Sequence, residues 1–349
     1  MSFWRHLLCK EKRSESVVLI DINATSVAGA YVRYVENEPP VLLYSRRVPI
    51  EIRNDEPHED ALLRTIPLLG NELIREGAPI LMRATGSGTA DTILVSIDTP
   101  WQETKVRTEN FERDCQFVFT KDMVISALQK TSAETTDKLL ADESVIGTIL
   151  NGYETRCPYG KKVRRASVVV LTSFVDKRIA EGISSTIHGL FHTKHNLLIA
   201  GSSLRYQAMR LAFPHERDAL ILDATGPLVS ISLIRRGLFI TLAEIPSAPG
   251  SGSQPWIDKV MHEFAAIAEQ YPLPRIIFLL ARESESAALQ KVLDAGNLGK
   301  LWLSDNPPKI ISVLASHIAS AIRQTTPEPQ DLQILLMARY YSVKGKCGE

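Results

Sequence analysis

Two short hydrophobic segments, each ending in an aspartate, constrain the fold of this chain more than any other feature. Residues 17–34 read VVLIDINATSVAGAYVRY, and residues 219–240 read ALILDATGPLVSISLIRRGLFI. In each segment an aliphatic run ends at Asp21 or Asp223, a polar turn follows, and residue types then alternate. A period of two is typical of β-strands. Two copies of one β-hairpin, roughly 200 residues apart, predict a duplicated two-lobed α/β fold with a cleft between the lobes.

The composition is that of an ordinary globular protein with more than one subdomain. Of the 349 residues, 44% are hydrophobic and 23% charged, which allows a sizeable core. Forty basic residues balance 40 acidic ones, so the net charge does not favour nucleic acid as a partner. The four cysteines form no CxxC pair, which indicates neither a disulfide framework nor a zinc site. No run reaches the roughly 18–20 apolar residues of a membrane span, and we expect a cytoplasmic protein.

The rest of the chain predicts alternating strands and helices. Further strands are expected at residues 41–48, 93–97, 145–150, 166–172, 196–200 and 275–280. Helices are expected at residues 58–76, 120–140, 175–188, 202–213, 256–271, 285–295, 310–324 and 330–341. Pro67 lies inside the first of these helices and predicts a kink or a division there.

The two hairpins resemble the phosphate-1 and phosphate-2 motifs of the actin-like ATPase superfamily, whose turns cradle nucleotide phosphates. The first turn reads DINATS from Asp21, and the second reads DATGPL from Asp223. Residues 150–161, LNGYETRCPYGK, are similar to a signature of the small inserted subdomain in the PilM/FtsA-like branch. Nothing after Tyr341 resembles the membrane helix of FtsA-type proteins. The resemblance is therefore strongest to the PilM family of type IV pilus assembly proteins.

This resemblance implies a two-lobed actin-like, ribonuclease H-like fold with a small α+β subdomain inserted in the first lobe. The first lobe would comprise residues 17–100 and 191–216, the insert residues 101–190, and the second lobe residues 217–349. Residues 1–16 form a short basic N-terminal segment. Two interpretations of that segment stay open, namely a frayed terminus and a weak membrane-surface or partner-binding segment.

The resemblance also implies a candidate nucleotide site, with ATP and magnesium as its ligands; no cofactor is certain from the residues alone. The candidate residues in the two turns are Asp21, Asn23, Thr25, Ser26, Asp223, Thr225 and Gly226. Asp21 and Asp223 would act as the metal site, through magnesium, if nucleotide binds, because carboxylates suit that ion. An aspartate after a strand also commonly caps a turn.

Several glycines of the family motifs are replaced, which argues against an efficient nucleotide site. A phosphate-binding turn needs free backbone N–H groups and a chain without an obstructing Cβ. Asn23 and Ala224 stand at glycine positions, and Pro227 lacks an N–H donor. Arg282 and Glu283 stand where the family has its adenosine-binding glycine pair. We expect a pseudo-ATPase that binds nucleotide weakly or does not hydrolyse it, without a confident catalytic residue; an active ATPase or kinase is the alternative.

By the same resemblance, we expect a cytoplasmic scaffold of a membrane-associated apparatus, either a type IV pilus or a type II secretion system. Such a scaffold is peripheral to the inner membrane through its partners. It binds the short N-terminal peptide of an inner-membrane protein, and the candidate contact residues here are Trp101, Tyr153, Arg164 and Arg165. The two arginines also fit a solvated strand edge. Self-association and an FtsA-like role in cell division stay open, whereas neither nucleic acid nor a small-molecule substrate is expected.

Overall fold

Three β-sheets organise the molecule. The structure is a computed structural model that describes residues 14–130, 137–155, 157–193, 195–226, 228–246, 254–302, 307–325 and 331–344. Pro227 and most of the predicted N-terminal segment lie outside the described residues.

The elements alternate along the chain largely as predicted. The strands are β1 (Ser14–Ile22), β2 (Ser26–Val35), β3 (Val41–Pro49), β4 (Thr92–Ile97), β5 (Gln102–Val118), β6 (Lys138–Leu150), β7 (Tyr153–Glu154), β8 (Lys162–Asp176), β9 (His195–Ala200), β10 (Ala219–Asp223), β11 (Leu228–Arg235), β12 (Leu238–Pro246), β13 (Ile276–Leu280), β14 (Lys309–Val313) and β15 (Arg323–Gln324). The helices are α1 (His58–Glu72), α2 (Ala78–Thr85), α3 (Lys121–Gln129), α4 (Lys177–Phe191), α5 (Gly201–Ala212), α6 (Gln254–Gln270), α7 (Glu283–Ala295), α8 (Ala315–Ala319) and α9 (Leu332–Lys344).

The first and second sheets repeat one topology. The first runs β3-β2-β1-β4-β9, with β15 added beside β3, and the second runs β12-β11-β10-β13-β14. Each begins with an antiparallel meander and continues with two parallel strands. This duplicated arrangement confirms the predicted actin-like fold class. The parts of the molecule built on these two sheets are called the first lobe and the second lobe below.

Strand β1 is buried on both faces, which explains its unbroken aliphatic run. Val18 and Ile20 pack in a core shared with helices α1 and α4. Val17 and Leu19 point to the opposite side, into a core shared with α5 and α9. The same two-sided burial applies to β10, in which all five residues are buried. Both aspartates therefore lie at the carboxyl ends of strands that are packed on two sides.

The insert is a four-stranded sheet in the order β5-β8-β6-β7, with α3 on one face. The predicted helix at 120–140 was wrong in its second half, because α3 ends at Gln129 and Leu139 and Leu140 lie in β6. Strand β5 was not predicted, since it is mostly exposed and its sequence is rich in charge. On the other face, Gly147 of the insert lies against Leu238 of the second lobe.

The structure differs from two further predictions about local structure. Of the kink or division predicted at Pro67, the division is wrong, because α1 continues through it, while the kink stays a prediction; a π-helix follows α1 at Leu73–Gly77. The predicted helix at 310–324 is β14, the short helix α8 and then β15. Short aliphatic runs fit either structure, and here pairing with β13 decides for a strand.

The C-terminal elements return to the first lobe. Strand β15 pairs with β3, and α9 packs against α5 and the first sheet. Tyr341 Oη donates to Glu15 Oε1 at 2.6 Å, and Tyr34 Oη donates to the Ala338 carbonyl at 3.2 Å. The assignment of residues 217–349 to the second lobe stays a prediction, and the end of that range contacts the first sheet. Among the described helices, none is both long and apolar enough to cross a bilayer.

Candidate functional site

The two predicted turns lie in one cleft between the lobes. Asp21 is the second-to-last residue of β1, and Asp223 is the last residue of β10; their exposed fractions are 2% and 3%. Asn23 of the first turn and Thr225 of the second line the same cavity of about 200 Å³. The structure thus brings the predicted turn residues together, while their role in nucleotide binding stays a prediction.

The side chain of Asn23 occupies the donors of the first turn. Its Oδ1 atom accepts hydrogen bonds from the backbone N–H groups of Thr25 and Ser26, both at 2.9 Å. The hydroxyls of the same two residues lie 3.1 and 3.2 Å from that oxygen. An Asx turn of this kind satisfies the backbone internally. The N–H groups that a phosphate would need are therefore already bonded.

The second turn is closed in the same way. Asp223 Oδ1 accepts from the Thr225 N–H at 3.0 Å and from its hydroxyl at 2.6 Å. Gln333 of α9 donates from Nε2 to Thr225 Oγ1 at 2.7 Å. Gly226 has no left-handed backbone, and a Cβ there would meet only the Leu228 carbonyl, at 3.7 Å. The turn shape does not depend on glycine at position 226.

Asp21 is paired with an arginine from the neighbouring meander. Arg47 Nη2 lies 2.9 Å from Asp21 Oδ2, and Arg47 also makes a two-point contact with Asp331 at 2.6 and 3.0 Å. Its Nη1 donates to Ser26 Oγ at 2.8 Å. Burial raises the pKa of Asp21 from 3.8 to about 6, against the lowering effect of Arg47. The guanidinium thus compensates a carboxylate that has little contact with water.

Asp223 is paired with a second arginine. Arg205 of α5 forms an ion pair through Nε with Asp223 Oδ2, and its Nη2 lies 2.7 Å from Oδ1 of Asp98. The Arg205 side chain is only 6% exposed. Burial alone would lower its pKa, but the charges of Asp223 and Asp98 outweigh burial and hold the pKa above its usual value. Arg205 therefore stays a cation inside the cleft.

These residues do not fit a magnesium ion with a nucleotide. Both carboxylates that would serve the metal are bound to guanidinium groups, and Asn23 occupies the backbone donors. The inner cleft around Asp98, Arg205 and Asp223 encloses only about 10 Å³, which is room for about one water. Across the described ranges, no group of three or more His, Cys, Asp or Glu is placed to hold a metal ion.

Two charged residues singled out in the sequence analysis lie beside the two turns. Arg282 precedes helix α7, Glu283 begins it, and both line the 200 Å³ cavity beside Ala281. That they replace an adenosine-binding glycine pair stays a prediction.

Three of the four predicted partner residues lie at one end of the insert. Tyr153 is 79% exposed on the edge strand β7. Arg164 and Arg165 are exposed on β8, and Asn151 Oδ1 accepts from their backbone N–H groups at 3.0 and 3.1 Å. Trp101 is elsewhere: it is 6% exposed and packs on His58 with 4.9 Å between the ring centroids. The structure separates Trp101 from the other three.

The sequence analysis missed four residues of the cleft, namely Arg47, Asp98, Arg205 and Asp331. Their partners are distant in sequence, so no local spacing could identify them. One signal was available: Arg205 is a charged residue among the buried positions of α5, a helix that was correctly predicted. A fully buried arginine needs a carboxylate partner.

Comparisons with known proteins support the fold. No protein-family model matches the chain, and no curated protein matches it. A solved PilM-PilN type IV pilus biogenesis complex contains a chain that is similar over 96% of this chain and 98% of its own length, with TM-score 0.57 and 14% identity. At that identity the similarity shows a shared fold and not a shared activity.

Two further solved structures are more distant. One is a Bacteroides thetaiotaomicron protein described as having an actin-like ATPase fold and unknown function; it covers 93% of this chain and 95% of its own, with TM-score 0.45 and 8% identity. The other is the cytoplasmic domain of EpsL, an inner membrane component of the type II secretion system of Vibrio cholerae. The similarity covers 94% of this chain and 95% of the EpsL domain, with TM-score 0.39 and 9% identity.

Proposed function

We propose that this protein is an actin-like scaffold of a membrane-associated apparatus of the type IV pilus or type II secretion kind. It binds the short cytoplasmic peptide of an inner-membrane partner and does not use its cleft for ATP hydrolysis. The observation that carries the proposal is the cleft itself, whose two aspartates form ion pairs with the protein's own arginines and whose turn N–H groups at Thr25, Ser26 and Thr225 are bonded to the protein's own side chains. The whole-chain likeness to the chain of a PilM-PilN complex supports the scaffold part.

Nucleotide titration tests the first part of this proposal. Mg-ATP would have to displace Arg47 and Arg205 from carboxylates that burial makes costly to leave unpaired. We expect isothermal calorimetry to detect no binding below about 1 mM, which corresponds to roughly −4 kcal/mol. Micromolar binding that is lost in Asp21→Ala, and kept in Asp122→Ala on the exposed surface of α3, would contradict the proposal.

The exposed end of the insert is the proposed contact surface for the partner. Tyr153 supplies a large exposed ring, and Arg164 and Arg165 supply adjacent positive charge. Tyrosine and arginine are the residue types that most often dominate binding energy at interfaces. Arg165 forms an exposed ion pair with Glu112 at 2.6 Å, which a partner could displace at little cost.

Substitution at this surface tests the second part. Against synthetic N-terminal cytoplasmic peptides of inner-membrane pilus and secretion proteins, we expect Tyr153→Ala with Arg164→Glu and Arg165→Glu to weaken capture at least about tenfold, roughly 1.4 kcal/mol. Arg178→Glu on α4 is the matched control, because Arg178 is also exposed but lies outside the insert sheet. Unchanged capture by the triple variant would reject this contact surface.

A further inference from the structure

The ion pairs of the cleft connect elements of different lobes. Asp98 directly follows β4 in the first sheet, and Asp223 ends β10 in the second. The Arg205 side chain contacts both carboxylates at once. These three residues are called the Arg205 bridge. Two carboxylates brought together from two sheets repel each other unless a cation lies between them.

The local backbone leaves room for this arrangement. Gly201 begins α5, and a Cβ built there would lie 2.9 Å from Arg205 Nη1 and 3.1 Å from the Asp98 carboxyl carbon. Any larger residue at position 201 would therefore crowd the pair. Glycine at the start of α5 therefore leaves the space that the Arg205 side chain, one turn later, needs to contact Asp98.

A second bridge lies at the other end of the cleft. Arg47 of the first sheet joins Asp21 to Asp331, which precedes the C-terminal helix α9. Asp21, Arg47 and Asp331 are called the Arg47 bridge. Two residues after Asp331, Gln333 donates a hydrogen bond from Nε2 to Thr225 Oγ1 of the second lobe at 2.7 Å. The Arg47 bridge thus positions the segment whose side chain contacts the second turn.

Two further hydrogen bonds join the lobes. Thr99 Oγ1, next to Asp98, donates to Glu244 Oε1 of β12 at 2.7 Å. Tyr206, next to Arg205, donates from Oη to the Gly237 carbonyl at 2.8 Å. Both bonds join the first lobe or α5 to the second-lobe meander, and Thr99 also lines the inner cleft of about 10 Å³.

We propose that Arg205 and Arg47 are tethered cations that together hold the cleft closed without any ligand. Arg205 joins carboxylates of the two lobes, whereas Arg47 fixes, within the first lobe, the segment whose Gln333 contacts the second turn. They do the work that a metal ion with a nucleotide would otherwise have to do, namely neutralising the buried carboxylates of the cleft. The separation of the lobes is consequently set by the protein alone and does not respond to Mg-ATP. This inference concerns the cleft and does not depend on the proposed partner surface.

Distance measurement between spin labels tests the inference. Labels are placed at Leu68→Cys on α1 and Lys291→Cys on α7, two exposed positions on different lobes. The native cysteines are first replaced by serine at Cys9, Cys115, Cys157 and Cys347. We expect the full chain to give one narrow distance distribution that millimolar Mg-ATP leaves unchanged.

The decisive variant removes the bridge without leaving buried charge. Arg205→Met alone would strand two carboxylates and could unfold the protein, so it is combined with Asp98→Asn and Asp223→Asn. We expect this triple variant to shift the distribution to longer distances and to broaden it. Arg64→Met is the control, since it breaks an ion pair with Glu56 that lies within the first lobe, and we expect no change.

Two results would overturn the inference. One is a triple variant with the same narrow distribution as the native chain. The other is a native chain whose distribution shifts on addition of Mg-ATP. Tight nucleotide binding without such a shift would reject the nucleotide part of the proposed function while leaving the tethered cations in place, so the two failures are distinguishable.

Discussion

Replacing Arg47 with methionine lowers the free energy of unfolding at neutral pH by about 3 kcal/mol, because it strands two acidic groups that the protein cannot easily expose. Asp21 is 2% exposed and depends on Arg47 Nη2 at 2.9 Å. Asp331 loses its 2.6 Å contact with Arg47 Nε at the same time. Urea unfolding measures the loss.

The size of this loss should depend on pH in a defined direction. The folded-state pKa of Asp21 is about 6, above its unfolded value of 3.8, so the contribution of Asp21 to the stability of the native chain falls as pH rises from about 4 to 6. Without Arg47 that pKa rises further, because the arginine was lowering it. The cost of Arg47→Met is therefore smaller near pH 5, where Asp21 is already protonated, and larger near pH 8.

The neighbouring residue provides a matched control for this prediction. Arg46 lies on the same strand and pairs with Glu72 at 3.0 Å, but its side chain is 55% exposed. Surface ion pairs of this kind contribute about 0–1 kcal/mol. We expect Arg46→Met to cost less than about 1 kcal/mol with little change in pH dependence. Equal losses for the two variants would show that Asp21 does not depend on Arg47.

Phe119→Ala abolishes capture of the partner peptide, although Phe119 is not part of the contact surface. The insert has a small core of its own, and Phe119 is fully buried in it together with Leu150, Val163 and Ala166. Phenylalanine-to-alanine changes in a core cost about 3–5 kcal/mol. Since Leu150 pairs with Tyr153 and Val163 precedes Arg164, loss of this core removes the support of the surface.

The same substitution in the second lobe separates local from global effects. Phe264 is also fully buried and packs on Trp302 with 5.9 Å between the ring centroids. Phe264→Ala should destabilise the second lobe by a similar amount and leave peptide capture within about threefold of the native level at a temperature where both variants are folded. If both variants lose capture equally, the insert is not the binding element.

The duplicated hairpins could be predicted from sequence because their signal is local. Asp21 and Asp223 each lie at the carboxyl end of a strand that is buried on both faces, Asp21 one residue before the end of β1, and such strands are continuous aliphatic runs. Segments whose secondary structure depends on pairing with a strand that is distant in sequence were predicted poorly. Residues 310–313 form a strand because β13 lies beside them, and β5 forms a strand because β8 pairs with it over most of its length.

The cleft shows the same limit. The turn residues and their lost glycines were visible in sequence, and their chemistry could be discussed from the residues alone. The partners Arg47 and Arg205 could not be identified, because the contact of Arg205 with Asp98 joins residues that are 107 positions apart. The sequence therefore indicated a weakened site, and only the fold shows which side chains pair with the two aspartates.

Because β15 and α9 pack on the first sheet, that sheet can be completed only after these late elements have been synthesised. Tyr341 contacts Glu15 across 326 positions, and β15 closes the edge of the sheet beside β3. The first lobe to emerge from the ribosome is thus the last to be completed, since contacts of such long sequence separation form slowly and late. Until β15 and α9 have been synthesised, the nascent first sheet presents an open edge and a bare apolar face, which is the kind of surface that chaperones bind.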